Sequence, residues 1–456
     1  MDSRGRLWVT GYTNSTNLRT DLGSFRDAPV VPGGKDVFVA VFDTALTGAD
    51  SLVYSTYLGG SADEEPRAIA VDNLTSCFIT GYTESIDFPI RNGYQDTNAG
   101  AKDAFVAQIN LVERGEGSLW YSTYLGAAGT EVGNAVAADA RGRIHVAGYT
   151  SSDDFPLLGG AMQGSRRGGW DAFYAAFEPP RGGKSSGVYS TYFGGGSTDV
   201  ATGVVVDNAA NRVYMSGYTA SEDFPVTTGA AQSAYRGRAD AFLVQFDFSR
   251  NGLDALTYGT YYGGTDLDQP NTAAIDAQGR VYLAGITRSN DLRMSPNAYQ
   301  TTTAGDSDVF VARFDFSRPR GQELTYSSFL GGNDTDIAYG LAVDRTGRIL
   351  VAGYTYSKDF PYKGDGFQPE FTGGYKGFVA WFDPAAPAAE GLLCSSYLGG
   401  SGNDVAAGIG ANAAGVAFAA GSTNSRDLQL PDGALQQRLG GYSDGFVVRL
   451  NACPAR

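Results

Sequence analysis

Short runs rich in Val, Ile, Phe and Tyr, broken by Gly, Asp, Asn and Pro, recur from one end of the chain to the other. No stretch carries the i, i+3, i+4 spacing of an amphipathic helix, so the pattern predicts β-strands and turns throughout. The region after residue 340 shows the unit. GLAVD (Gly340–Asp344) reads as a strand, RTGR as a tight turn, and the run from Arg348 to Thr355 as a second strand. After a long loop, KGFVAWFD (Lys376–Asp383) is a third strand and CSSYLGG (Cys394–Gly400) a fourth.

This unit repeats. A Thr-x-Ser-x-Asp box, usually after Gly-Tyr, begins at Thr13, Thr83, Thr150, Thr219, Thr287, Thr355 and Thr423, in steps of 70, 67, 69, 68, 68 and 68 residues. A four-stranded sheet of that length cannot bury both faces alone, so the copies must pack face to face. Radial packing of such sheets makes a β-propeller, whereas an open solenoid has shorter repeats and ranks behind it. The expected fold is all-β, a single seven-bladed β-propeller of four-stranded antiparallel blades with about 68 residues per repeat. Its approximate blades are 1–60, 61–127, 128–195, 196–264, 265–332, 333–400 and 401–456.

The succession YSTYLGG, an acidic residue, AxAVDxxGRVYVAGYTxSxDFP and DAFVxxFD resembles the SBBP repeat, a bacterial seven-bladed β-propeller family, over essentially the whole chain. The resemblance implies the fold and a secreted or surface-associated bacterial protein. It implies no common catalytic activity.

The fourth-strand motif begins six times, at Tyr54, Tyr121, Tyr189, Tyr258, Tyr326 and Cys394, and the first-strand motif ends six times, at Asp72, Asp139, Asp207, Asp276, Asp344 and Asn412. Asp2 stands where a seventh would end, so 26 strands are expected where seven full blades have 28. The closure is therefore expected to be incomplete, and bare strand edges invite pairing. A fragment, or a subunit completed by a partner or by the rest of a larger polypeptide, is the expectation.

Composition removes other classes. Of 456 residues 63 are Gly, aromatics make 12% and charged residues 18%, which fits neither a disordered chain nor a coiled coil. There is no run long enough for a membrane helix and no apolar signal core in MDSRGRLW. The net charge of -15 disfavours nucleic acid and anionic lipid as partners. With one histidine, His145, in a strand-like context, and three cysteines, clustered zinc, haem and thiol redox chemistry are disfavoured, as is a Ser-His-Asp site. A disulfide between Cys394 and Cys453 would tie the carboxyl terminus to the ring and suit an oxidising compartment, while Cys77 reads as a buried free thiol.

Superposing the copies gives four acidic columns. The first precedes the first strand at Glu64, Glu131, Asp199, Asp268, Asp336 and Asp404, and the second ends it at Asp2, Asp72, Asp139, Asp207, Asp276 and Asp344. The third is the box acid at Asp87, Asp154, Asp223, Asp291, Asp359 and Asp427, and the fourth opens the third strand at Asp36, Asp103, Asp171, Asp240, Asp308 and Asp444. The second column belongs to the DxxGR hairpin turns. The other three share the opposite face, where two readings stand. Carboxylates accept hydrogen bonds from backbone N–H and from Thr and Ser hydroxyls, stapling each long loop; or neighbouring acids hold a structural Ca²⁺, with Asp266 and Asp268 in GGTDLD and Asp334 and Asp336 in GGNDTD as candidates.

Tyr82, Tyr149, Tyr218 and Tyr354, with Phe88, Phe155, Phe224 and Phe360, read as interblade core. Residues that differ between copies are the better candidates for specificity: Trp120, Trp170, Arg166, Arg167, Arg236 and Arg238. Acids recurring equally in every blade argue against one asymmetric catalytic site. The expected function is a non-enzymatic scaffold or protein-binding module, extracellular or at a bacterial cell surface, with no cofactor apart from that calcium; the alternative is a glycan-binding propeller. A lyase or hydrolase with a central-channel site ranks third.

Overall fold

The computed structural model describes all residues except 22, 73–74, 248–249, 251, 365–367 and 451–456. It is an all-β, seven-bladed propeller. Five sheets have four antiparallel strands, and their sequence spans are 64–125, 131–193, 199–262, 268–330 and 336–398. The first sheet (6–58) and the last (404–450) have three strands each among the described residues, giving 26 strands in all. Among the described residues the first sheet has no counterpart of the strand that opens the others, and the last none of the one that ends them. Among the described residues helix occurs only as short 3₁₀ turns, and no helix is long and apolar enough to cross a membrane.

The backbone forms two compact units, 1–215 with 221–225 and 244–259, and 216–220 with 226–243 and 260–456. In the first unit, the cores lie between neighbouring sheets: Val39, Val41 and Tyr54 of the first blade pack with Ile79, Phe88 and Phe105 of the second. In the second unit, Val311, Tyr326 and Leu330 of the fifth blade meet Val351, Phe360 and Phe378 of the sixth. Each strand presents alternate side chains to its two neighbours, which is why the second and third strands are buried on both faces.

Two local devices position the loops. The buried fourth-strand tyrosines donate to the box loop of their own blade: Tyr124 Oη to Ser85 O at 2.9 Å, Tyr192 Oη to Ser152 O at 2.8 Å and Tyr397 Oη to Ser357 O at 2.9 Å. In the first strand a β-bulge recurs, with the register shifting between Pro66 and Ala68, Gly133 and Ala135, Pro270 and Thr272, Ala338 and Gly340, and Ala406 and Gly408. The extra residue is re-aimed. Asn134 and Asn271 donate to Ala201 O and Ala338 O of the next blade, each at 2.9 Å, while Tyr339 turns outward.

Candidate functional site

The DxxGR turns are tied by their own acid. Backbone N–H groups of Arg6, Ser76, Arg143, Arg280 and Arg348 donate to Oδ1 of Asp2, Asp72, Asp139, Asp276 and Asp344 at 2.9 to 3.0 Å. In three blades the second strand adds a polar ring: Trp8 Nε1 donates to Asp2 (3.0 Å), Tyr282 Oη to Asp276 (2.8 Å), and His145 Nε2 lies 3.6 Å from Asp139. The other ring nitrogen of His145 is 2.6 Å from Tyr174 Oη, and burial lowers the pKa of the imidazole. His145 edges a cleft of about 280 Å³ that includes Arg141, Arg143, Asn208 and Arg212. Both its nitrogens face groups of the turn and the neighbouring strand.

On the opposite end of the strands, the first-column acids collect donors. Thr83, Thr150, Thr287 and Thr423 hydroxyls donate to Glu64, Glu131, Asp268 and Asp404 at 2.5 to 2.6 Å. Box serines add Ser221 to Asp199, Ser289 to Asp268, Ser357 to Asp336 and Ser425 to Asp404, at 2.8 to 2.9 Å. The backbone N–H four residues before each acid completes the set, as from Gly264 (2.7 Å) and Gly332 (2.8 Å). Third-column acids take the next turn: Asp87, Asp223, Asp291, Asp359 and Asp427 accept from the N–H of Ser61, Gly196, Thr265, Asn333 and Ser401 at 2.7 to 2.9 Å, and Asp154 from Ala128 at 3.4 Å.

The fourth column is held by a glutamine eight residues upstream, a repeat absent from the columns read in the sequence. Gln95, Gln163, Gln232 and Gln436 donate Nε2 to Asp103, Asp171, Asp240 and Asp444 at 2.6 to 3.0 Å. Burial, with a neighbouring carboxylate, pushes Asp103 up to about 6 and Asp240 up to about 7. The sixth blade breaks the column with Lys376, whose Nζ is 3.1 Å from Asp404 Oδ2, both side chains fully buried.

The calcium candidates have unlike surroundings. Asp268 is filled by the Thr287, Ser289 and Gly264 donors, while Asp266 Oδ1 faces Arg238 Nε at 3.7 Å. Asp336 accepts from Gly332 N and Ser357 Oγ, while Asp334 is exposed and accepts from Thr335 N at 2.8 Å. The N–H and O–H donors on Asp268 and Asp336 compete with a cation for those oxygens. Among the described residues no group of three His, Cys, Asp or Glu side chains could hold a metal.

Blade-specific aromatics lie at the loop end. The phenylalanines of the box are core at 3% exposure, but the Gly-Tyr tyrosines differ from the core reading: Tyr149, Tyr218 and Tyr354 are only half-buried. They occupy the penultimate strand position, where the chain leaves the sheet. Tyr82 lies under Lys102 (4.1 Å) and Tyr149 stacks on the exposed Trp170 at 4.8 Å and 24°. In the sixth blade, Tyr354 meets Tyr339 (5.9 Å), Tyr356 (5.8 Å) and Tyr375 (5.0 Å), and Tyr356 meets Tyr375 at 5.3 Å. Tyr339 and Tyr356 are 40% and 42% exposed, so the cluster presents aromatic surface to solvent. Trp120 is exposed elsewhere; Arg166 bonds Asp153 at 2.9 Å, and the backbone N–H groups of Arg167 and Arg236 serve the fourth-column acids. Cys77 is a buried free thiol, Cys394 is held in a disulfide, and Cys453 lies outside the described residues.

The regulatory protein FlaEY of Caulobacter vibrioides is 23% identical over 360 residues, which are 76% of this chain and 36% of that protein. The chain thus spans about a third of the relative's length. Among solved structures, hydrazine synthase of Kuenenia stuttgartiensis has a TM-score of 0.44 at 12% identity, covering 90% of this chain and 96% of that one. The WD40 β-propeller domain of Doa1 has a TM-score of 0.43 at 10% identity, covering 85% and 86%. The SBBP β-propeller repeat model matches residues 121–156, 188–225 and 325–361, each running from the fourth strand of one blade through the box loop of the next. These three segments of the chain match the SBBP β-propeller repeat.

Proposed function

We propose that the chain is a non-enzymatic binding or scaffold module, extracellular or at the bacterial cell surface, that recognises a protein partner through residues that differ between blades. The observation that carries this reading is the division of labour at the loop end. The repeated acids, threonines, serines and glutamines are engaged in hydrogen bonds within and between blades, while two rings of the sixth-blade tyrosine cluster, Tyr339 and Tyr356, are exposed and do not belong to the repeated columns. Tyr rings supply large contact area at low entropic cost and are enriched at protein interfaces. The same four hydroxyl-bearing rings favour a second reading, a platform on which a sugar ring stacks.

The test compares wild type with a Tyr339→Ser, Tyr356→Ser double variant, both immobilised, against envelope and medium proteins of the producing cell and against a panel of soluble glycans. A discrete protein retained by wild type and lost by the variant supports the scaffold reading. A glycan retained and lost in the same way selects the second. Equal retention by both variants removes the cluster from either.

A further inference from the structure

Two carboxylates meeting in a dry seam cannot both stay ionised without a compensating charge. Asp308 opens the third strand of the fifth blade and Asp336 the first strand of the sixth, and both are fully buried. A Cβ at Gly331 would lie 1.9 Å from Asp308 Oδ1 and 2.8 Å from Asp336 Oδ2, so the two acids meet at that glycine. The arrangement recurs at Gly59, with Asp36 Oδ1 at 2.1 Å and Glu64 Oε2 at 2.5 Å, and at Gly126, with Asp103 Oδ1 at 2.5 Å and Glu131 Oε2 at 2.8 Å.

In the first two pairs donors reach both oxygens of the first-strand acid, Thr83 and Gly60 N on Glu64 and Thr150, Ser152 and Ala127 N on Glu131; in the third, Ser357 and Gly332 N reach Asp336 Oδ2, and its Oδ1 has no hydrogen-bond partner among the described residues. The third-strand acid has a bare oxygen in all three pairs. Oδ2 accepts from a backbone N–H, from Ala99 on Asp103 and Ala304 on Asp308, but the buried Oδ1 of Asp36, Asp103 and Asp308 has no hydrogen-bond partner among the described residues. A bare acceptor set against a carboxylate is repulsive, and a proton on it turns the contact into a hydrogen bond. The sixth blade fills the same place with a permanent donor, the Lys376 ammonium on Asp404.

We propose that Asp36–Glu64, Asp103–Glu131 and Asp308–Asp336 are each a binding site for one proton shared between the two carboxyl groups. Lys376 makes the equivalent bond to Asp404 through its ammonium group. The groups facing these pairs leave the proton in place. Arg26, bonded to Gly59 O at 2.7 Å, opposes Asp63 at the first pair. Asp154 stands over the turn at the second. At the third, Asp359 and Asp334 lie in the adjoining loops, Tyr397 is near Asp336, and Arg288 Nε is on Ser307 Oγ at 3.1 Å. Burial first and the facing carboxylate second raise Asp336 and Glu64 to about 7, and burial raises Asp308 and Asp36 to about 6.

The infrared carbonyl band of protonated carboxyl groups in D₂O, read at about pH 5, above the ordinary carboxylate range, tests the sites. Wild type should show it, Asp308→Asn should lose part of it, and Lys376→Asp, which creates a further pair, should strengthen it. Asp308→Asn keeps a donor toward Asp336 and is expected to fold; its urea midpoint should change less than that of wild type between about pH 5 and pH 8. Absence of the band at about pH 5 overturns the proposal, as does its loss on adding Ca²⁺ with stoichiometric metal uptake. Equal pH dependence of wild type and Asp308→Asn also overturns it.

Discussion

Lys376 Nζ lies 3.1 Å from Asp404 Oδ2 with both side chains fully buried, at the seam position where Asp308 faces Asp336 one blade earlier. The acid that accepts from Lys376 also accepts from Thr423, Ser425 and Gly400 N, so four donors converge on it. Removing the ammonium alone strands a buried charge. Lys376→Met is expected to cost about 3–5 kcal/mol in urea denaturation at neutral pH. Adding Asp404→Asn should recover much of that loss, because the pair is then removed together.

The hydroxyl staples carry stability in each repeat. Thr287→Val keeps the β-branched shape but removes the 2.5 Å bond to Asp268. About 1–3 kcal/mol should be lost, seen as a lower urea midpoint with an unchanged denaturant slope.

Glycine at 331 is required by contact rather than by its backbone angle. An added methyl would lie 1.9 Å from Asp308 Oδ1, so Gly331→Ala should destabilise by about 1–3 kcal/mol or more. Gly169, with nothing within 4 Å of its Cβ position, is the control, and Gly169→Ala should leave the thermal midpoint within about a degree or two of wild type.

The turn acids act in the opposite pH direction. Burial alone would raise Asp139, but hydrogen bonds from His145 and the Arg143 and Arg141 backbone outweigh it and hold it down to about 2. A depressed carboxylate adds stability that is present above about pH 4 and lost as pH falls toward 2. Asp139→Asn should therefore lower the unfolding midpoint at neutral pH, by about 1–2 kcal/mol, and have a smaller effect at about pH 2, checked by chemical denaturation at both.

Much of the fold was legible because a repeat writes each structural demand several times. The strand count and the three-stranded first and last sheets follow from where motifs such as YSTYLGG and AxAVD begin and end. The box threonines and serines reach the first-column acids because the loops they start return to the seam. The glutamine column, at Gln95, Gln163, Gln232, Gln300, Gln368 and Gln436, recurs just as regularly and was readable by the same superposition. What the sequence could not supply is register across blades. That Lys376 meets Asp404, 28 residues on, depends on how neighbouring sheets pack. That Tyr339 turns outward depends on a bulge, which an alternating pattern does not mark. Tyr149 and Tyr354 read as core because they recur, but repetition records a shared position and not its depth.

The central claim is that carboxylates at the blade seams hold protons in the folded state that the unfolded chain has already released. The direct measurement is the urea-unfolding midpoint of wild type between about pH 5 and pH 8. Raised folded-state acids contribute stability that is lost as pH rises through their folded values of about 6 to 7, by up to about 1.4 kcal/mol per pH unit for each proton held. The account predicts a midpoint that falls steadily over this interval. A midpoint that stays level or rises would contradict it.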